Sequence, residues 1–190
     1  IEKQMPIERL KDFVKELELI LIELNGIGLN TNELSMKIDV YLKKWPSSPN
    51  IQYGQMVSNN FFRSEGILNF NKDILLQKDL PTEDLDEMKM TAAHELFHLI
   101  QQNYWRKQYW QSFSHKQFIW PDEACSIALE DYLAKDDDYA AGPMKTNMGM
   151  LIRNPLLNFN DAGKSENDAQ DFGYAMGYII QYLMKIHPRK

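Results

Sequence analysis

The sequence predicts an α+β fold in which an N-terminal helix and a small twisted sheet pack on a central helix, followed by a mostly helical C-terminal part. Three observations carry this expectation. Apolar residues recur at three- and four-residue spacing near the N-terminus and again beyond Pro81, and between these stretches short segments from Met36 to Asn71 read as strands, the first alternating with a period of two. The composition, 44% hydrophobic and 12% aromatic with 9 Gly and 8 Pro, is that of a chain with a packed core. The length of 190 residues suits one domain over 1–190, in which residues 1–103 hold the first helix, the strands and the central helix, and residues 104–190 are helical.

The elements follow in order. Leu10, Phe13, Val14, Leu17, Ile20, Leu21 and Leu24 form one helical stripe over 7–25, and Gly26 is the expected C-terminal stop. Met36, Ile38, Val40 and Leu42 alternate with Lys37, Asp39, Tyr41 and Lys43 until Trp45-Pro46 breaks the pattern, which reads as a half-buried strand with a helix as the competing reading. Residues 51–57 and Gly66–Asn71 are two further short strands, separated by polar turns. After Pro81, Thr82 is the expected N-cap, and Glu83, Asp84, Asp86 and Glu87 suit the positive end of a helix dipole, so a helix is expected to about Gln102. Another helix is expected to start near Pro121 and end before Asp136-Asp137-Asp138. A last one covers 169–186, after an irregular surface segment over 141–168.

Composition excludes several classes. A single Cys rules out a disulfide framework and any thiolate zinc cluster, so a metal site must be built from His and carboxylates. With 21 Lys and Arg against 27 Asp and Glu, the net charge is −6, and without a dense cationic patch nucleic acid is not an expected partner. The nearest approach, Trp105-Arg106-Lys107-Gln108-Tyr109-Trp110, reads as a helix end and its loop. No apolar run approaches the roughly 18 residues of a membrane span. The chain opens at Ile1 without an initiator Met or a charged-then-apolar leader, so it reads as a processed or trimmed chain from which any signal peptide has gone, which leaves the compartment open.

The helix after Pro81 contains His94-Glu95-Leu96-Phe97-His98, an HExxH pattern. Residues four apart on a helix lie about 40° apart around the axis, so both imidazoles can share one metal ion, while Glu95, about 100° from His94, falls beside the ion. That is where a general base for a metal-activated water is needed, since zinc brings the pKa of water towards about 7. On this composition, with 4 His in 190 residues, the pattern is expected by chance roughly 0.006 times. A catalytic zinc needs a third protein ligand. Gln101 and Tyr104 stand where the extended HExxHxxGxxH form requires Gly and His, so the third ligand is expected from a second helix, at Glu123 in Trp120-Pro121-Asp122-Glu123-Ala124. His115 is the competing candidate; it would give a three-His site.

His94-Glu95-Leu96-Phe97-His98, followed by Trp120-x-x-Glu123-Ala124 and then Glu130-Asp131, resembles the gluzincin branch of zinc metallopeptidases, closest to secreted bacterial proteins. The resemblance spans most of the chain and is strongest from 66 to 131. It implies a zincin-like fold, a secreted or cell-envelope location and hydrolysis of peptide substrates, with His94, His98 and Glu123 holding Zn2+ and Glu95 as base. It also implies that an edge strand just before the zinc helix, Gly66–Asn71, binds the substrate backbone. Such enzymes stabilise the oxyanion with Tyr or His, for which Tyr174 and Tyr178, four apart on the last helix, and His115 are the candidates.

There are departures. Where better-known gluzincins carry an Asp four residues after the ligand Glu, this chain has Ile127, so Glu130 or Asp131 is the expected orienting carboxylate, against a reading in which both simply end a helix on its wet side. Cys125, about 200° around the helix from Glu123, is expected in the core. Asp136 to Asp138 read as a solvated charge run before a calcium site, and His187 as exposed. Two rival functions are a non-catalytic zinc-containing binding or adhesion domain and a metal-free helical interaction protein. Retention of Glu95 speaks against the first.

Overall fold

A computed structural model of the chain describes residues 7–31, 38–45, 53–58, 66–75, 82–109, 116–134, 143, 145, 147 and 166–187. The architecture is α+β and mostly helical, with one three-stranded sheet among the described residues. The chain forms two compact units, Ile1–Tyr104 and Trp105–Lys190.

The first unit opens with α1 (Ile7–Gly26), whose Phe13, Leu17, Ile20 and Leu24 are buried while Leu19 and Ile22 face solvent. The helix ends at Gly26, where the stop is expected. Gly28, at φ 90°, is the left-handed residue that closes this end. Its amide donates to the Asn25 carbonyl at 3.0 Å and that of Leu29 to Leu24 at 3.1 Å, the paired bonds of a Schellman end, which needs a left-handed residue that Gly supplies without a Cβ penalty.

The sheet consists of β1 (Asp39–Lys43), β2 (Gly54–Ser58) and β3 (Gly66–Asn71) in the order β1-β3-β2. β1 pairs with β3 in parallel, Val40 opposite Leu68, and β2 pairs with it antiparallel, Met56 opposite Leu68. The strand reading of 39–43 therefore holds over its helical competitor; Met36 lies outside the described residues. One expectation is overturned. Gly66–Asn71 is the central strand, not an edge, so its backbone groups are engaged on both sides and the two edges are β1 and β2. Its buried position has a clear cause: Leu68 and Phe70 are wholly inaccessible, and the ring of Phe13 meets Phe70 edge-on at 4.8 Å.

A single turn, α2 (Lys72–Leu75), follows β3, with the Asp73 amide donating to Asn71 Oδ1 at 3.0 Å. The central helix, α3 (Thr82–Tyr109), begins where expected and runs about two turns past Gln102, because no Gly or Pro interrupts residues 103–109. Lys89 on α3 pairs with Glu16 on α1 at 3.6 Å.

The second unit contains α4 (Lys116–Ala134) and α5 (Glu166–Ile186). α4 starts at Lys116, five residues before Pro121, near which its start is expected. Proline inside a helix forfeits one backbone bond and costs about 3 kcal/mol. Here packing outweighs that cost, since Trp120 meets Phe172 of α5 edge-on at 5.8 Å and joins a core of Ala124, Phe172 and Met176. α5 starts at Glu166, three residues earlier than expected. Most of the expected irregular segment 141–168, together with His115 and Asp136 to Asp138, lies outside the described residues.

Candidate metal centre

His94 and His98 lie one turn apart on α3, His94 buried and His98 half-buried. Their rings are edge-to-face with centroids 4.6 Å apart, and the two Nε2 atoms approach to 2.9 Å. The helix therefore brings the two Nε2 atoms together on one face. Two tetrahedral zinc ligands at 2.0–2.1 Å would have their nitrogens about 3.3 Å apart, so the pair needs to open by only about 0.4 Å. These two nitrogens could hold a metal ion.

His98 is also orientated from behind. Its Nδ1 lies 2.8 Å from Oε1 of Gln101, which is itself buried. An amide oxygen only accepts, so Nδ1 carries the proton and Nε2 is the bare nitrogen, the tautomer a metal ligand requires. Gln101, three residues on, lies on the same helix face as His98. Sequence reasoning used Gln101 only to exclude the extended motif, although the i,i+3 spacing was enough to find this contact.

Glu95 is half-buried, and its Oε2 accepts the Met56 amide at 2.6 Å. The short bond to a charged acceptor holds the carboxylate at the edge strand β2. Gly54 explains how α3 comes so close. A Cβ on Gly54 would lie 2.9 Å from Thr91 Cγ2 and 3.0 Å from the Phe70 ring. Thr91 precedes Glu95 by one helical turn, about 6 Å, and Gly54 precedes Met56 by two strand residues, about 6.6 Å, so the two elements advance in step and the second contact follows from the first.

In the second unit, α4 carries Glu123, which is buried, and Glu130, also buried and two turns on along the same face, whereas Asp131 is half-buried. Burial of Glu130 overturns the reading that it ends the helix on its wet side. Ile127, one turn after Glu123, is packed in the interior. One partner of Glu123 is a residue that no motif marks: Gln170 on α5 donates from Nε2 to Glu123 Oε1 at 3.1 Å and to the Tyr174 hydroxyl at 2.5 Å. Tyr178 sits one turn further along α5, half-buried. Close approach of the two helices depends on Gly173, where a Cβ would meet Trp120 O at 2.6 Å and Glu123 Cβ at 2.7 Å.

Cys125 is half-buried; burial pushes its thiol pKa up and the Asp122 carboxylate adds to the shift, so it is a protonated packing group at neutral pH. Ser126 hydrogen-bonds back to the Asp122 carbonyl at 2.8 Å. His187 is exposed at the end of α5, as expected. No described helix is long and apolar enough to cross a membrane.

No family model, curated protein or solved structure matches the chain.

Proposed function

We propose that this protein is a zincin-like, gluzincin-type zinc peptidase, in which Nε2 of His94 and His98 and the carboxylate of Glu123 hold the ion and Glu95 is the general base. The observation that carries the reading is the convergence of the two Nε2 atoms to 2.9 Å on a helix whose intervening Glu95 is held at an edge strand. Bound zinc supplies the acidity that brings the pKa of water from 15.7 towards about 7 and polarises a carbonyl. Glu95 takes the proton from the attacking water and returns it to the leaving amine. An extended peptide runs along β2, in the role first expected of Gly66–Asn71, because β2 lies at the edge of the described sheet and carries the amide that positions Glu95. Tyr174, with Tyr178 as the alternative, donates its hydroxyl to the oxyanion of the tetrahedral intermediate, a role worth about 10²–10³ in rate. The likeness to secreted bacterial enzymes goes with a secreted or cell-envelope location.

Glu95→Gln tests the assignment. The variant is expected to retain one equivalent of zinc by elemental analysis and to lose about 10²–10⁴ in cleavage of a fluorogenic peptide library. Cleavage at the wild-type rate would overturn the role of Glu95. Wild-type protein that holds zinc and cleaves no peptide would be a non-catalytic zinc-containing binding domain, and wild-type protein that takes up no zinc would be a helical interaction protein.

A further inference from the structure

Glu123 and Tyr174, assigned different tasks above, are tied to a single side-chain nitrogen. We propose that Gln170 is the positioning residue of this site, one amide that sets the third zinc ligand and the oxyanion-binding phenol together; the proposal rests on the zinc-peptidase reading. An ionised carboxylate only accepts hydrogen bonds, so the group of Gln170 facing Glu123 Oε1 at 3.1 Å must be the NH2. The same Nε2 meets the Tyr174 hydroxyl. That nitrogen carries two hydrogens and accepts nothing, so each oxygen receives one of them. The phenol therefore accepts from Gln170, and its own hydrogen is turned away from the amide, towards a different acceptor. A group meant to donate to a developing oxyanion needs that polarity. On the other side, the bond to Oε1 fixes the rotation of the Glu123 carboxylate about its last torsion, which a long side chain would otherwise lose entropy to hold.

The backbone is built to allow this reach. Gln170, Gly173 and Tyr174 fall on one face of α5 by their spacing of three and four. Gly173, in the middle, brings the two helices so close that an added Cβ would lie 2.7 Å from Glu123 Cβ and 2.9 Å from Trp120 Cα. An amide takes the place here of the carboxylate that orientates metal ligands in many zinc sites.

The test uses the full chain and two readouts, the zinc dissociation constant by chelator competition and the visible spectrum of the Co2+-substituted protein. Gln170→Met preserves the shape and removes the donor; it is expected to weaken zinc about 10- to 100-fold and to alter the Co2+ bands. With Glu123→Ala already present, adding Gln170→Met should change zinc affinity less than about twofold, because the effect runs through Glu123. With Tyr174→Phe present, the full effect on zinc should persist. If Gln170→Met does not give native circular dichroism, Gln170→Asn, which keeps the amide and withdraws it by one methylene, is measured in its place with the same expectations. Wild-type zinc affinity in the Gln170 variant, or an undiminished effect in the Glu123→Ala background, would overturn the positioning role and leave the peptidase reading standing. A wild-type chain that binds no zinc would overturn both.

Discussion

Adding one methyl at Gly173 separates what helix propensity favours from what the packing of α5 on α4 permits. In Gly173→Ala the new Cβ would stand 2.6 Å from the Trp120 carbonyl oxygen, 2.7 Å from Glu123 Cβ and 2.9 Å from Trp120 Cα. Ordinary contact begins at 3.4 Å, so the carbonyl must withdraw by about 0.8 Å. Two of the three atoms belong to the backbone of a helix, which cannot swing aside as a side-chain tip can, so α5 has to shift as a body. Overpacking of this kind costs about 1–3 kcal/mol, and the gain in helix propensity returns up to about 1 kcal/mol. The net loss is about 0–2 kcal/mol, a fall in Tm of up to roughly 4–8 °C for a chain of this size. Gly26→Ala is the control: it is the same substitution near a helix end with nothing within 4 Å of the added Cβ, and it should raise stability by about 0.5–1 kcal/mol. Thermal unfolding followed by far-ultraviolet circular dichroism reads both. A rise in Tm for Gly173→Ala would refute the close approach. Zinc affinity is expected to fall in the same variant, since Glu123 is pushed, and to stay unchanged in Gly26→Ala.

Other outcomes follow from the same contacts. Gln101→Leu should weaken zinc about 10- to 100-fold by chelator competition with little loss of helicity, because it strips the acceptor that orientates His98; wild-type affinity would remove Gln101 from the site. Phe70→Ala should cost about 3–5 kcal/mol in urea unfolding, since Phe70 is wholly buried against Phe13; a loss under about 1 kcal/mol would contradict a packed central strand. Cys125 should react with a disulfide reagent more slowly than free cysteine at pH 8, with the rate climbing further above pH 9 than for a free thiol, because burial and Asp122 raise its pKa. The sign for stability follows. The unfolded thiol ionises first, so this contribution is present below the unfolded pKa and is lost as pH rises through the folded one.

Local patterns reported what local physics controls. The stripe from Leu10 to Leu24, the period-two segments and the acidic start after Pro81 each encode an element; α1, β1, β3 and α5 appear within a few residues of expectation, and α3 starts where expected but runs on to Tyr109. The HExxH spacing alone specifies that two imidazoles leave one helix face together, and α3 delivers that through helix geometry and nothing more. Boundaries were less legible: α1 ends at Gly26, but only the φ of 90° shows that Gly28 is the left-handed cap, and a helix expected to start near Pro121 runs through it where Trp120 meets Phe172.

What only the tertiary structure decided is which distant groups hold the chemistry in place. Gly66–Asn71 has the composition of a strand, but whether it is an edge depends on what pairs with it, and both flanking strands do. Gly54 and Gly173 are ordinary glycines in the sequence and become close-approach points only when α3 passes β2 and α5 passes α4. The Met56 amide, as a backbone group, has no sequence signature at all, and Gln170 lies 47 residues from the Glu123 it holds. Residue identity and spacing along one helix determine which side chains can share a ligand. Hydrogen bonds between elements determine which way those side chains are turned, and these are set by packing across the chain, which no local window contains.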